Sequence, residues 1–167
     1  MQEDDTNRRL LIVWHSRTGA SEQMARAAAD AARAEIAVDC LKADAVDPAI
    51  MLAASAYLFV CPENLGTMSG AMKEFFDTHY YPVLGRIEGR AYATIIAAGS
   101  DGTGTQRQLD RIATGWRLKR VVDPCIVGFD AQTPEAILAE KSVSEADLNR
   151  CRELGAALGT GAALGVF

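Results

Sequence analysis

Four short apolar runs, residues 10–14, 56–61, 92–98 and 121–127 across Pro124, show no period-two alternation. Such runs suit strands buried on both faces, the condition of a parallel sheet covered by helices. A weaker fifth segment, residues 36–41, alternates through Ile36, Val38 and Cys40 and reads as an edge strand. Pro124 has no N–H to give to a ladder and sends the last strand to an edge as well. Between the runs the apolar period becomes helical. Met24, Ala28 and Ala31 share one face, with Glu22, Arg26, Asp30 and Arg33 on the other. Met72, Phe75, Phe76 and His79 repeat the pattern, as do Leu109, Ile112 and Trp116. Residues 48–54 supply a short helix, and a final helix is predicted to start at Ser144 as N-cap and to bury Leu148, Cys151 and Leu158. Five strands alternating with five helices make one α/β domain, an open five-stranded parallel sheet of order 2-1-3-4-5 with helices on both faces. Ligands of such sheets sit beyond the carboxyl ends of the strands, between the first and the third.

The 167 residues fit one domain of this kind. At 49% hydrophobic and 23% charged, the composition excludes a disordered or disulfide-dense chain. The 22 acidic residues outnumber 17 basic ones, a net charge of -5 that repels a phosphate backbone, so no nucleic-acid partner is expected. The apolar runs are too short to cross a bilayer, and Gln2-Glu3-Asp4-Asp5 has the wrong charge for a secretory leader. No membrane insertion and a cytoplasmic location are expected. Cys40, Cys61, Cys125 and Cys151 form no C-x-x-C pair and read as buried free thiols, with no metal expected.

The chemistry lies in three loops at neighbouring strand ends. The first, Ser16-Arg17-Thr18-Gly19-Ala20-Ser21, is neither a nucleotide-triphosphate loop nor a dinucleotide fingerprint. Three hydroxyls around one glycine at a helix N-terminus suit a phosphate monoester; an ordinary turn with N-capping hydroxyls is the other reading. The second runs through Pro62-Glu63-Asn64-Leu65-Gly66-Thr67-Met68-Ser69-Gly70, and the third is Gly99-Ser100-Asp101-Gly102-Thr103-Gly104. Elsewhere, His79-Tyr80-Tyr81-Pro82 falls at the far end of the sheet and reads as packing and helix termination.

From about residue 10 to 128 the chain resembles the flavodoxin-like superfamily, through S-x-T-G-x-[ST] at Ser16 to Ser21, the stretch Gly66-Thr67-Met68-Ser69-Gly70-Ala71-Met72-Lys73, and the Gly-rich third loop. It is most similar to the FMN-binding NAD(P)H:quinone oxidoreductases and NADPH-dependent FMN reductases. The resemblance implies a single-domain flavodoxin-like three-layer sandwich over residues 9–160, after a flexible N-terminus, 1–8, and before an apolar tail, 161–167. It implies FMN as cofactor, with its phosphate on Ser16, Arg17, Thr18, Gly19, Ala20 and Ser21. The ring edge falls to the backbone of Pro62, Glu63, Asn64, Leu65, Gly66 and Thr67, with apolar contact from Leu65 and Met68. Gly99, Ser100, Asp101, Gly102 and Gly104 are placed beside the ring, their glycines leaving room for it.

The implied activity passes reducing equivalents from NAD(P)H to a quinone or similar small acceptor, with the flavin carrying the chemistry and no catalytic side chain required. The alternative is an electron-transfer flavodoxin, a carrier that clamps the ring between aromatic side chains and presents a strongly acidic face. Neither flavin loop here holds an aromatic residue. Where the quinone reductases have an aromatic and then Gly-Asn, this chain has Leu65-Gly66-Thr67. Residues 129–141 are expected as a cover, with Phe129 toward the ring. The apolar, uncharged residues 155–167 need covering too, by a homodimer or by docking on the same chain.

Overall fold

The computed structural model describes residues 7–167. The parallel sheet is built from β1 (Arg9–Trp14), β2 (Ala37–Lys42), β3 (Ala56–Asn64) and β5 (Ala91–Ala98), completed by β6 (Lys119–Arg120) and β7 (Cys125–Gly128), in the order β2-β1-β3-β5 and then β6 and β7, both on β5. This is the flavodoxin-like order expected from the apolar runs, with two differences in strand count. Around Pro124, which cannot donate to the ladder, the expected run 121–127 is strand only from Cys125 on, as β7, and the separate two-residue β6 pairs with β5 before it. The end of β3 also folds back on the two-residue β4 (Thr67–Met68), pairing Glu63 with Met68 and Asn64 with Thr67 in antiparallel sense.

The helices are α1 (Ala20–Ala32), α2 (Pro48–Ala53), α3 (Gly70–Val83), α4 (Thr103–Gly115), the short α5 (Pro134–Leu138) and α6 (Glu145–Leu164), with one 3-10 turn at Ala43–Ala45. Ser144 caps α6 as the sequence indicates, accepting from the N–H of Asp147. The strands need no alternation because both faces are covered. Leu10, Ile12, Ala56, Leu58, Ala93 and Ile95 face α1 and α6, whereas Leu11, Val13, Tyr57, Phe59 and Tyr92 face α2, α3 and α4. The second face holds the aromatic core, with Phe59 edge-on to Phe76 and Phe76 against Trp116. The first is thin and rich in alanine.

That thinness lets α6 lie close on α1. A Cβ at Gly155 would meet the backbone of Ala28, and one at Gly159 would touch Ala32. The apolar C-terminal stretch is therefore covered largely by its own chain. Helix α6 continues to Leu164, into the expected tail, with Gly161 and Ala162 buried; Leu164, Val166 and Phe167 are left exposed. Of the expected flexible N-terminus, residues 1–6 lie outside the described residues, and Arg8 donates to the Ala162 carbonyl at 3.2 Å. Cys61, Cys125 and Cys151 are buried free thiols, and Cys40 is half-buried. Among the described residues no helix is long and apolar enough to cross a membrane.

Candidate functional site

The three loops converge at the carboxyl ends of β1, β3 and β5. The first leaves β1 and turns into α1 at Gly19, whose φ of 96° is left-handed and suits glycine. The Gly19 N–H donates to Ser16 Oγ at 3.0 Å, closing the loop on itself, and α1 starts with no side-chain cap. Its first backbone donors thus stay available at the positive end of a 13-residue helix. Ser21, in the first turn, is buried and its hydroxyl has no hydrogen-bond partner. Arg17 is exposed at the rim.

The second loop is a tight hairpin whose central residues, Leu65 and Gly66, both have positive φ, 52° and 76°. Two left-handed positions suit a two-residue connection. Leu65 stands fully exposed at the tip. Met68, expected to touch the ring, is instead buried in the aromatic core, because β4 turns its side chain under the hairpin. The Asn64 side-chain nitrogen is buried with no partner. His15 and Ser69 join the first two loops, with His15 Nδ1 and Ser69 Oγ 2.8 Å apart. Burial holds the His15 imidazole below its usual range, aided by Arg17 and Lys42 and opposed by Asp44.

The third loop corrects the sequence reading most. Its glycines are used against the protein itself rather than to clear space for a ring. A Cβ at Gly99 would lie 2.7 Å from the Ala131 carbonyl oxygen, one at Gly102 would lie 2.6 Å from Ile126 Cγ2, and one at Gly104 would overlap the Gly66 carbonyl. Glu63, expected along the ring edge, turns to this loop: Oε1 accepts from the Gly102 N–H at 2.9 Å and Oε2 from the Thr105 N–H at 3.1 Å. Asp101 accepts from Thr103 Oγ1 at 2.6 Å, and Ser100 is exposed. Burial pushes the thiol of Cys61, beneath this hairpin, up to about 12, with the charge of Glu63 adding to the effect and the Ser69 backbone opposing it.

Residues 129–143 bridge the first and third loops. The Ala131 N–H donates to the Gly99 carbonyl at 2.9 Å, and the Lys141 N–H donates to the Thr18 carbonyl at 2.8 Å. Phe129, expected toward the ring, packs half-buried against the alanine-rich core. Sequence reasoning missed Gln23, which donates to the Gly19 carbonyl at 3.0 Å and the Lys141 carbonyl at 2.8 Å and accepts from the Val143 N–H at 3.0 Å. Nothing local to Gln23 signals partners more than a hundred residues away.

A cavity of about 260 Å³ lies at the opposite end of the sheet, between Arg8, Ser55, Arg90 and Phe167. Arg90 there donates to the carbonyls of Leu52 and Ala54 and to the Tyr57 hydroxyl, a framework role. The chemistry-bearing loops are elsewhere.

Three buried side-chain atoms among the described residues have no protein partner: Thr105 Oγ1 in α4 and, in the two loops that FMN would touch, Ser21 Oγ and Asn64 Nδ2. Burying such groups unpaired is costly, and a phosphate and a heterocycle edge would supply partners to the latter two. The residues present fit the group.

The family model described as NADPH-dependent FMN reductase matches residues 48–133, just over half of the chain. A flavodoxin of Aquifex aeolicus (strain VF5) is 28% identical over 155 residues, covering 88% of this chain and 83% of that protein. Among solved structures, a flavodoxin from the domain Archaea superposes with a TM-score of 0.76 at 16% identity, over 90% of this chain and 96% of that one. A WrbA-like flavodoxin from Agrobacterium tumefaciens gives 0.68 at 20% identity, over 93% and 98%.

Proposed function

The chain belongs to the NADPH-dependent FMN reductase family, and from that premise we propose that it is an FMN-dependent oxidoreductase passing reducing equivalents from NADH or NADPH to a quinone or a similar small acceptor. The observation that carries the FMN part is that two of the three partnerless buried side-chain atoms among the described residues, Ser21 Oγ and Asn64 Nδ2, lie one in each of two adjoining loops. Bound FMN supplies the capacity to take up two electrons from a nicotinamide and pass them on.

In this reading Ser16, Arg17, Thr18, Gly19, Ala20 and Ser21 hold the phosphate, the uncapped start of α1 and the three hydroxyls donating to it. The Asn64 amide and the backbone of Pro62, Leu65, Gly66 and Thr67 orient the heterocycle edge, and Gly99, Ser100 and Asp101 border the ring. Glu63, Met68, Gly102 and Gly104 are occupied within the protein and hold the frame. Leu65, aliphatic and exposed, leaves ring access to a flat donor and acceptor in turn. Residues 129–143 limit water on the phosphate side. Self-association would rest on Leu164, Val166 and Phe167, the apolar residues α1 leaves uncovered.

One observation favours the carrier reading. The Aquifex flavodoxin matches more of the chain than the family model does. Steady-state oxidation of NADPH and NADH by FMN-loaded protein with a benzoquinone acceptor separates the two. The oxidoreductase gives saturable turnover with parallel double-reciprocal lines. Negligible oxidation of either nicotinamide, with a persistent radical signal during stepwise chemical reduction, establishes the carrier instead.

A further inference from the structure

We infer that Glu63 is a positioning residue: an internal anion that caps α4 from another loop, fixes the spacing of the second and third loops, and keeps the start of α4 from competing with α1 for the FMN phosphate. The inference rests on the FMN reading of the site and adds to it a reason for the direction in which the cofactor enters.

Two helices begin at this end of the sheet at a left-handed glycine, α1 at Gly19 and α4 at Gly102, and neither has a side-chain cap of its own. Each is 13 residues long, so each presents a comparable positive end. Left alone, both would attract an anion. At α1 the neutral Ser16 Oγ takes only the Gly19 N–H, whereas at α4 two backbone amides are met by a carboxylate. Glu63 lies 39 and 42 positions before Gly102 and Thr105 in the chain, yet its carboxylate spans their amides, the N-cap donor and the third-residue donor in the first turn of the helix. Charge-assisted bonds of this kind are stronger than neutral ones.

Two further contacts join the same pieces. Gly104 lies against the Gly66 carbonyl so closely that no side chain fits, and the Met68 N–H donates to Gln108 Oε1 at 2.8 Å. The β3–β4 hairpin is thus fastened to α4 at its tip, by Gly66, and at its base, by the paired Glu63 and Met68, with the carboxylate as the charged member. Removing it uncovers two amides at a helix start and loosens the base of the hairpin, which Met68 and Gly66 still hold. The FMN phosphate then meets a second unneutralised helix start, and the second and third loops lose their fixed spacing.

The test compares the wild-type protein with Glu63→Gln and Glu63→Ala, using backbone hydrogen exchange without cofactor and FMN titration with and without formate or acetate. Glu63→Ala is expected to keep its circular-dichroism spectrum, to lose exchange protection at Gly102 and Thr105, and to bind FMN about tenfold more weakly. Formate or acetate, small carboxylates that refill the cap, should restore most of that loss, and Glu63→Gln, which keeps one acceptor, should fall between. Unchanged exchange and FMN affinity in Glu63→Ala would overturn the inference, as would a folded Glu63→Ala whose weakened binding no carboxylate restores. Absence of FMN binding by the wild-type protein would remove the FMN reading instead, while the exchange measurement would still decide whether Glu63 is the cap. If Glu63→Ala does not fold, Glu63→Gln decides the inference by the same exchange measurement: faster exchange at Thr105 or Gly102 supports it, and none overturns it.

Discussion

Gln23 Nε2 lies 2.8 Å from the carbonyl oxygen of Lys141, a residue 118 positions later, and the same amide group also reaches Gly19 and Val143. One side chain in the first turn of α1 thus holds residues 129–143 onto the phosphate loop. Gln23→Ala should cost about 2 kcal/mol of stability, since several partly buried hydrogen bonds go with it. Limited proteolysis should then cut between residues 132 and 142, where the wild-type chain resists. Unaltered resistance would mean that the segment is held by other contacts.

Ser21 separates a cofactor role from a structural one. Its hydroxyl is buried without a partner, so Ser21→Ala should leave the cofactor-free protein as stable or slightly more stable in urea. FMN affinity should drop by about tenfold in the same variant. A variant that loses stability but keeps affinity would assign the hydroxyl to the fold.

Gly155 tests the packing of α6 on α1. An added Cβ would lie 2.7 Å from Ala28 Cα, and neither helix backbone can give way easily. Gly155→Val should destabilise by about 3 kcal/mol in a urea titration. Gly66→Ala, where a Cβ meets nothing within 4 Å, serves as the contrast and pays only for its positive φ.

His15 gives the pH dependence. Burial depresses its folded-state pKa below the unfolded value of 6.5, so the unfolded chain binds the extra proton first as pH falls. Stability therefore declines as pH drops through about 6.5 and levels off below the folded-state pKa. Melting temperatures at pH 7.5 and 5.5 should differ less in His15→Gln than in the wild-type protein; an equal difference would remove His15 as a source.

The strands and the cofactor end of the sheet were legible because burial on both faces leaves unbroken apolar runs, and because loops after β1, β3 and β5 must meet where the winding reverses. The break at Pro124 was half legible: proline marks an edge, but whether a strand bends or divides there depends on β5, its partner. The roles within the third loop were not legible. Gly99, Gly102 and Gly104 look like clearance for a ligand, yet each is fixed by a residue distant in sequence, Ala131, Ile126 or Gly66. A bulky residue at Gly102 would therefore disrupt the loop before it reached any ring. Glu63 carries no local mark of its partners 39 and 42 residues on.

In the proposed site the start of α1 holds the phosphate of FMN. The most direct test is a pair of titrations of the cofactor-free protein, one with FMN and one with riboflavin, which differs by lacking that phosphate. With several charge-assisted bonds at stake, FMN should bind with one equivalent and at least about a hundredfold more tightly. Equal affinity for the two flavins, or no binding of FMN, would contradict that placement of the phosphate.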